Sequence, residues 1–191
     1  MKIALFAAVP EEVGRLTDRT NIIGIGRENA TRAALRFMEK HKNEDFTILN
    51  LGTVGSHNHP VGTILRINEV ISSGTMFFGQ PMKLTQLEAP SAKNAAEGIL
   101  FSSDSFVSPE VYSENFLAKI KTQADCFDME SSAVVSVAEM YGKPFAAFKI
   151  VSDNLDVTID IWRQRVDLLS STLANFAEQI FSEISNVEFL L

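Results

Sequence analysis

Phe127-Asp128-Met129-Glu130-Ser131-Ser132-Ala133 reads as a short apolar strand that turns into a helix on a carboxylate. A second run, Phe148-Lys149-Ile150-Val151-Ser152-Asp153-Asn154, ends an apolar strand on another carboxylate. Far upstream, Ile3 to Val9 is a continuous apolar run, as expected of a strand buried on both faces, and it leads into Pro10-Glu11-Glu12. Open α/β sheets bind ligands at the carboxyl ends of their strands. The three stretches together predict a cleft lined by carboxylates from three separated segments.

Outward from these stretches the chain alternates. Pro10 opens a short helix, where its missing N–H costs nothing. Asn21 to Ile25 reads as a strand ended by Gly24-Ile25-Gly26. Glu28 to Lys42 is helical, with Ala30, Ala33, Ala34, Phe37, Met38 and His41 on one stripe. Phe46 to Leu51 reads as a strand closed by a turn at Gly52-Thr53-Val54-Gly55. Thr63–Ile67 and Glu69–Ser72 read as two short strands, and Phe77 to Glu97 as mostly loop. Gly98 to Phe106 is expected as a strand, with Ser108-Pro109 capping a helix to about Lys121. Asp125–Asp128 is a strand, Met129–Tyr141 a helix stopped by Gly142 and Pro144, and Phe145–Val151 a near-central strand. A last helix runs from about Asp160 to Ser185, burying Val166, Leu169, Leu173, Phe176, Ala177 and Ile180. Alternating strands and helices predict one α/β domain, residues 1–191, with three α/β/α layers and a mainly parallel mixed sheet.

Composition narrows the function. Of 191 residues, 46% are hydrophobic and 21% charged, as in an ordinary globular protein. The formal net charge of −7 argues against a nucleic-acid partner, which a basic face would bind. No apolar stretch is long enough to span a bilayer, so no membrane partner is expected. The apolar start runs straight into Glu11-Glu12 and reads as a strand, not a signal peptide. Cys126 is the single cysteine, which permits no intrachain disulfide and fits a reducing compartment. The expected location is cytoplasmic.

Each candidate group has a plain structural alternative. Glu11 and Glu12 are either first-turn acids complementing a helix dipole or catalytic groups at a strand tip. Glu130 could be a helix N-terminal acid and Asp153 a cap, but three carboxylate sites at three strand ends favour chemistry. Clustered carboxylates push their pKa values apart, as acid/base work requires. Lys149, charged inside an apolar strand, must meet water, a partner charge or a ligand, and is assigned to the site. Gly24-Ile25-Gly26 lacks a third glycine and reads as a tight turn. His57 and His59 lack a third ligand and read as exposed loop, so no metal and no cofactor are expected. Cys126 and Trp162 are assigned to the core.

The chain resembles the nucleoside phosphorylase/nucleosidase superfamily, most of all its 5′-methylthioadenosine/S-adenosylhomocysteine nucleosidases. The likeness rests on Met1-Lys2-Ile3 through Pro10-Glu11-Glu12, Gly24-Ile25-Gly26, Gly52-Thr53-Val54-Gly55, Val61-Gly62-Thr63-Ile64 and Ser103-Asp104-Ser105-Phe106-Val107. It is strongest from Asp128-Met129-Glu130 to Ser152-Asp153. The resemblance implies a shortened nucleoside phosphorylase-like fold and hydrolysis of the N-glycosidic bond of a purine nucleoside, a small-molecule partner, in methionine salvage. It gives Glu12 the role of positioning water, Glu130 with Met129 that of binding ribose, and Asp153, beside Ser152, that of delivering a proton to purine N7. Phe106 stacks on the base, Val107 offers backbone hydrogen bonds, and Thr53 stands near the water. Asp153 is expected to hold a proton and Glu130 to stay ionised when substrate binds. Lys149 stands where the nucleosidases usually place an arginine. The family is usually oligomeric, often a dimer, which implies a homodimer here.

Phosphorylases of this superfamily carry a glycine-and-arginine phosphate loop after the first strand and another arginine before the third strand's glycines. Ala7 to Glu12 and Asn50-Leu51-Gly52 supply neither, which favours water over phosphate. Futalosine hydrolase of menaquinone synthesis is similar and compact, and is the first alternative. A receiver-like signalling module is a remoter one, because Asn50-Leu51-Gly52 lacks the acceptor aspartate.

Overall fold

The computed structural model describes residues 1–75 and 80–191. Its strands are β1 (Lys2–Ala7), β2 (Thr20–Ile22), β3 (Thr47–Ser56), β4 (Ile64–Ser72), β5 (Met82–Lys83), β6 (Ala96–Ser102), β7 (Cys126–Asp128), β8 (Phe145–Asp153) and β9 (Glu188–Phe189). Its α-helices are α1 (Arg27–His41), α2 (Glu114–Lys121), α3 (Ser131–Met140) and α4 (Ile159–Glu183). The strands form one mixed sheet with helices on both faces, the three-layer arrangement expected from the alternation.

Strand pairing explains how distant segments meet. β8 lies between β3, to which it is parallel, and β4, to which it is antiparallel. All nine of its residues are buried, which is why its sequence is nearly all apolar. β4 pairs with β6, β6 with β7, and β7 returns to the carboxyl end of β3 through Gly55–Phe127 and Ser56–Cys126. The run β3–β8–β4–β6–β7 therefore closes on itself as a ring. β1 flanks β3, and β2 and β9 share the outer edge of β1.

Two apolar layers hold the helices down. On one face Ala30, Ala34, Phe37 and Met38 of α1, with Val134, Val137 and Ala138 of α3, pack on Phe6, Ile48 and Val151. On the other, Leu173, Phe176, Ala177 and Ile180 of α4 pack on Leu5, Leu49 and Phe148. Each fully buried Leu, Ile or Phe contributes about 1.5–3 kcal/mol, so the stripe on α4 fixes that helix against β8 and β3.

Several local expectations change. β3 does not stop at Leu51 but runs through Gly52-Thr53-Val54-Gly55 to Ser56. These glycines answer to close approach and not to a turn. A Cβ on Gly55 would lie 2.6 Å from Leu155 Cδ2, and one on Gly52 3.1 Å from Glu12 Oε1. Residues 64–72 form one strand with an irregularity between Ile67 and Glu69, not two strands. β6 ends at Ser102, because Ser103 Oγ turns back to the Ser105 carbonyl at 2.6 Å and meets the Tyr112 hydroxyl at 2.7 Å. Phe106 thus sits in a loop, not at a strand end. α2 starts at Glu114, where Ser113 caps it by accepting from the Phe116 N–H, and not at Ser108-Pro109. Within the 77–97 stretch read as loop lie β5 and a 3-10 turn at Pro90–Asn94, while residues 77–79 of it fall outside the described residues.

Candidate active site

Carboxylates converge where β1, β3, β7 and β8 finish. Pro10 starts a 3-10 turn, Pro10–Glu12, that follows β1 and turns Glu12 inward while Glu11 stays exposed. Glu12 Oε1 accepts from the Thr53 N–H and from Thr53 Oγ1, both at 2.8 Å, and Oε2 accepts from the Ala8 N–H at 3.1 Å. Thr53 is itself held: its hydroxyl oxygen accepts from Trp162 Nε1–H at 2.9 Å. A hydroxyl has one proton, and here that proton points at Glu12.

β7 ends on Asp128, and the turn into α3 places Glu130 at the N-cap. Glu130 Oε1 accepts from the Gly26 N–H at 2.6 Å. Gly26 has φ 88°, in the left-handed region where a side chain is strained. Burial drives the Glu130 carboxyl up, the charges of Asp128 and Glu12 add to this, and it reaches about 8. Without substrate, the folded site thus favours the protonated carboxyl, whereas the expectation of an ionised Glu130 concerns the substrate-bound state.

Asp153 closes β8 and is buried. Its Oδ1 accepts from the Leu155 N–H at 2.9 Å, an arrangement that puts Leu155 at φ 65°. Ser152 Oγ lies 2.8 Å from Asp153 Oδ2 and 3.2 Å from the Val54 carbonyl. Burial raises the Asp153 carboxyl above its ordinary value, against the hydrogen bonds from Ser152 and Leu155.

A cleft of about 580 Å³, its open mouth included, joins these groups. Glu12, Thr53, Phe106, Val107, Met129, Glu130, Ser152 and Asp153 all line it, so eight of the nine residues picked from the sequence come together. Lys149 does not line it. Its ammonium lies beneath, completely buried, 3.1 Å from Asp128 Oδ2. Burial pulls the ammonium down, yet Asp128, Glu12 and Glu130 together more than offset this and leave it above the ordinary lysine value. Asp128 is further fixed by the Ser131 N–H at 3.2 Å and by the Ser131 hydroxyl. Asn50 meets that same hydroxyl at 3.1 Å and donates to the Phe6 carbonyl.

Trp162 is the main group that sequence reasoning misplaced. It was assigned to the core, but it lines the cleft beside Ile159 and holds Thr53. Asp128 was read as part of the strand end, yet it is the anchor for Lys149. Cys126 is buried as expected. His57 is half-buried against Phe127 rather than exposed, and no cluster of metal ligands occurs among the described residues. Nor is any helix among them long and apolar enough to cross a membrane.

The chain belongs to the phosphorylase superfamily, whose family model matches residues 82–182. It is 26% identical to the 5′-methylthioadenosine/S-adenosylhomocysteine nucleosidase of Shewanella halifaxensis over 174 aligned residues, covering 78% of this chain and 74% of the relative. Its fold is shared with the nucleosidase of that name from Colwellia psychrerythraea, solved with adenine, at a TM-score of 0.80 and 16% identity over 100% of this chain and 98% of the other. It is shared also with the futalosine hydrolase of Helicobacter pylori, at 0.77 and 17% identity over 96% and 98%.

Proposed function

We propose that this chain hydrolyses the N-glycosidic bond of a purine nucleoside of the 5′-methylthioadenosine type and releases the free base. The observation that carries the reading is the meeting of Glu12, Glu130 and Asp153, distant in sequence, around one cleft. Asp153 is the acid at purine N7. Burial favours its protonated form, and Ser152 Oγ, 2.8 Å from Asp153 Oδ2 and 3.2 Å from the Val54 carbonyl, can turn its one proton to that carbonyl when Asp153 holds a proton. A base leaves far more readily once N7 is protonated, and a positioned acid supplies about 10²–10⁴ in rate.

Glu12 holds the attacking water. Three hydrogen bonds fix its carboxylate, and Oε2, engaged among the described residues by the Ala8 N–H, has a lone pair to spare. Glu130, with Met129, binds the ribose. As the bond breaks the ribosyl group becomes cationic, and that charge relieves the repulsion and desolvation that lift Glu130. That cation favours the ionised carboxylate, so the stabilisation that Glu130 gives is greatest in the transition state.

Water is preferred over phosphate on electrostatic grounds. The cleft is lined by Glu12, Asp128, Glu130 and Asp153 and, among the described residues, by no lysine or arginine. A phosphate dianion would meet a lining that carries acids and no cation of its own. The apolar part of the lining, Ile25, Ile159 and Trp162, suits an apolar 5′ substituent. The test is purine release from methylthioadenosine, S-adenosylhomocysteine, adenosine, inosine and futalosine in phosphate-free buffer. Methylthioadenosine is expected to react best. Release that requires phosphate overturns the hydrolase reading, and preference for futalosine overturns the substrate.

A further inference from the structure

Arg27, the first residue of α1, has no part in the chemistry above. Its guanidinium ties three segments together. Nη1 lies 3.0 Å from Asp104 Oδ1, and Nη2 donates to Ser73 Oγ at 2.8 Å and to the Ser102 carbonyl at 3.3 Å. Ser73 Oγ donates in turn to Asp104 Oδ2 at 3.0 Å. Both oxygens of Asp104 are thus engaged, although its side chain is 62% exposed and Arg27's 28%. An exposed carboxylate pair of this kind adds little to global stability, so its effect is one of placement.

What it places is the segment 103–107. Ser103 is pinned by its N–H to the Asp128 carbonyl at 2.8 Å. Asp104 comes next, and Phe106 and Val107 follow it into the cleft. On the other side of Arg27, the Gly26 N–H holds Glu130 at 2.6 Å. Two adjacent residues therefore hold both walls, one through the backbone and one through a side chain. We propose that Arg27 is a positioning residue that, through Asp104 and Ser73, latches the Phe106–Val107 segment over the base. This rests on the nucleosidase reading only in taking that segment as the one that meets the base.

The experiment compares wild type with Arg27→Met, Arg27→Lys, Asp104→Ala and the Met/Ala double variant. Readouts are adenine and hypoxanthine affinity by calorimetry, KM and kcat for the best nucleoside, and Tm. Losing this charge-assisted link should weaken base binding and raise KM by about five- to tenfold, with kcat held within about twofold. Arg27→Lys should recover part of the loss, and the double variant should be no worse than either single one. Asp104 is exposed, so Asp104→Ala keeps the test valid if Arg27→Met fails to fold. Unchanged base affinity and KM in the variants, or a fall in kcat alone, overturns the latch and leaves the nucleosidase reading intact. A wild type that cleaves no nucleoside but binds a base more tightly than Arg27→Met keeps the latch and removes that reading.

Discussion

Glu44 and Glu130 belong to opposite ends of the same sheet and are displaced in opposite directions. Glu44, before β3, is held by Lys2 at 2.6 Å and His41 at 2.7 Å, and these hydrogen bonds pull its carboxyl down to about 2. Glu130, after β7, is pushed up to about 8, first by burial and then by Asp128 and Glu12. At the amino end of the strands, charges are matched and about one-third exposed. At the carboxyl end, Glu12, Asp128, Glu130 and Asp153 crowd a cleft with the buried Lys149 ammonium paired to Asp128 beneath it. The first arrangement minimises energy locally. The second keeps charges that are costly to bury, as the proposed stabilisation of a cationic transition state would require.

The largest way to break the contrast is Asp153→Asn. The amide keeps the hydrogen bond from the Leu155 N–H and the neighbour Ser152, so the fold should persist with an unchanged circular dichroism spectrum. Turnover should fall by about 10³-fold or more, within the range for loss of a proton donor. Full activity in this variant removes the proton-donor assignment. Next in size is Lys149→Met, which leaves Asp128 charged and buried without its cation. Breaking a buried pair by removing one partner costs about 3–5 kcal/mol, to be read from the midpoint of urea unfolding. Lys2→Met, at the exposed end, should move that midpoint far less. Equal losses from the two lysines would erase the distinction between the ends.

This contrast was only partly legible in the sequence. The acids at the tips of β1, β7 and β8 stood out because each interrupts an apolar run, and the runs declare their strands. Lys149 was legible as a charge in need of a partner, but that partner, Asp128, lies on β7, two strands away around the closed ring. Nothing local in the sequence says that β7 returns to β3. Trp162 escaped for the same reason. Its bond to Thr53 spans 109 positions, and an aromatic near the start of an amphipathic helix looks like core. Gly52 and Gly55 were misread because a glycine that frees a turn and one that admits a neighbour look alike in sequence. Here the neighbours, Glu12 and Leu155, are what set the choice.

A smaller effect sharpens the comparison from the stability side. Glu130's folded pKa, about 8, lies above its ordinary 4.5. Its favourable contribution is therefore fully present below about pH 4.5 and is lost as pH climbs through 8. Glu130→Gln keeps an oxygen for the Gly26 N–H and removes the ionisation. At pH 7 it should stabilise the protein by about 1–3 kcal/mol, with no gain at pH 4, while turnover drops steeply. Loss of stability at pH 7 would show that Glu130 is comfortable where it sits and not held there for function.

The smallest effect belongs to Glu44→Gln, and its sign is the reverse. Glu44 is depressed from 4.5 to about 2, so its contribution is present above pH 4.5 and fades as pH falls through 2. The variant should lower Tm slightly at pH 6, match wild type at pH 2, and leave kcat and KM unchanged. Solvent screening keeps the effect small, because Lys2 and Glu44 are each about one-third exposed. The two glutamine variants thus differ in sign, in pH window and in effect on turnover, although each removes one carboxylate from the same sheet. If both shifted Tm in the same direction at neutral pH, burial would not be what separates the two ends, and the case for a stressed carboxylate at the cleft would lose its electrostatic ground.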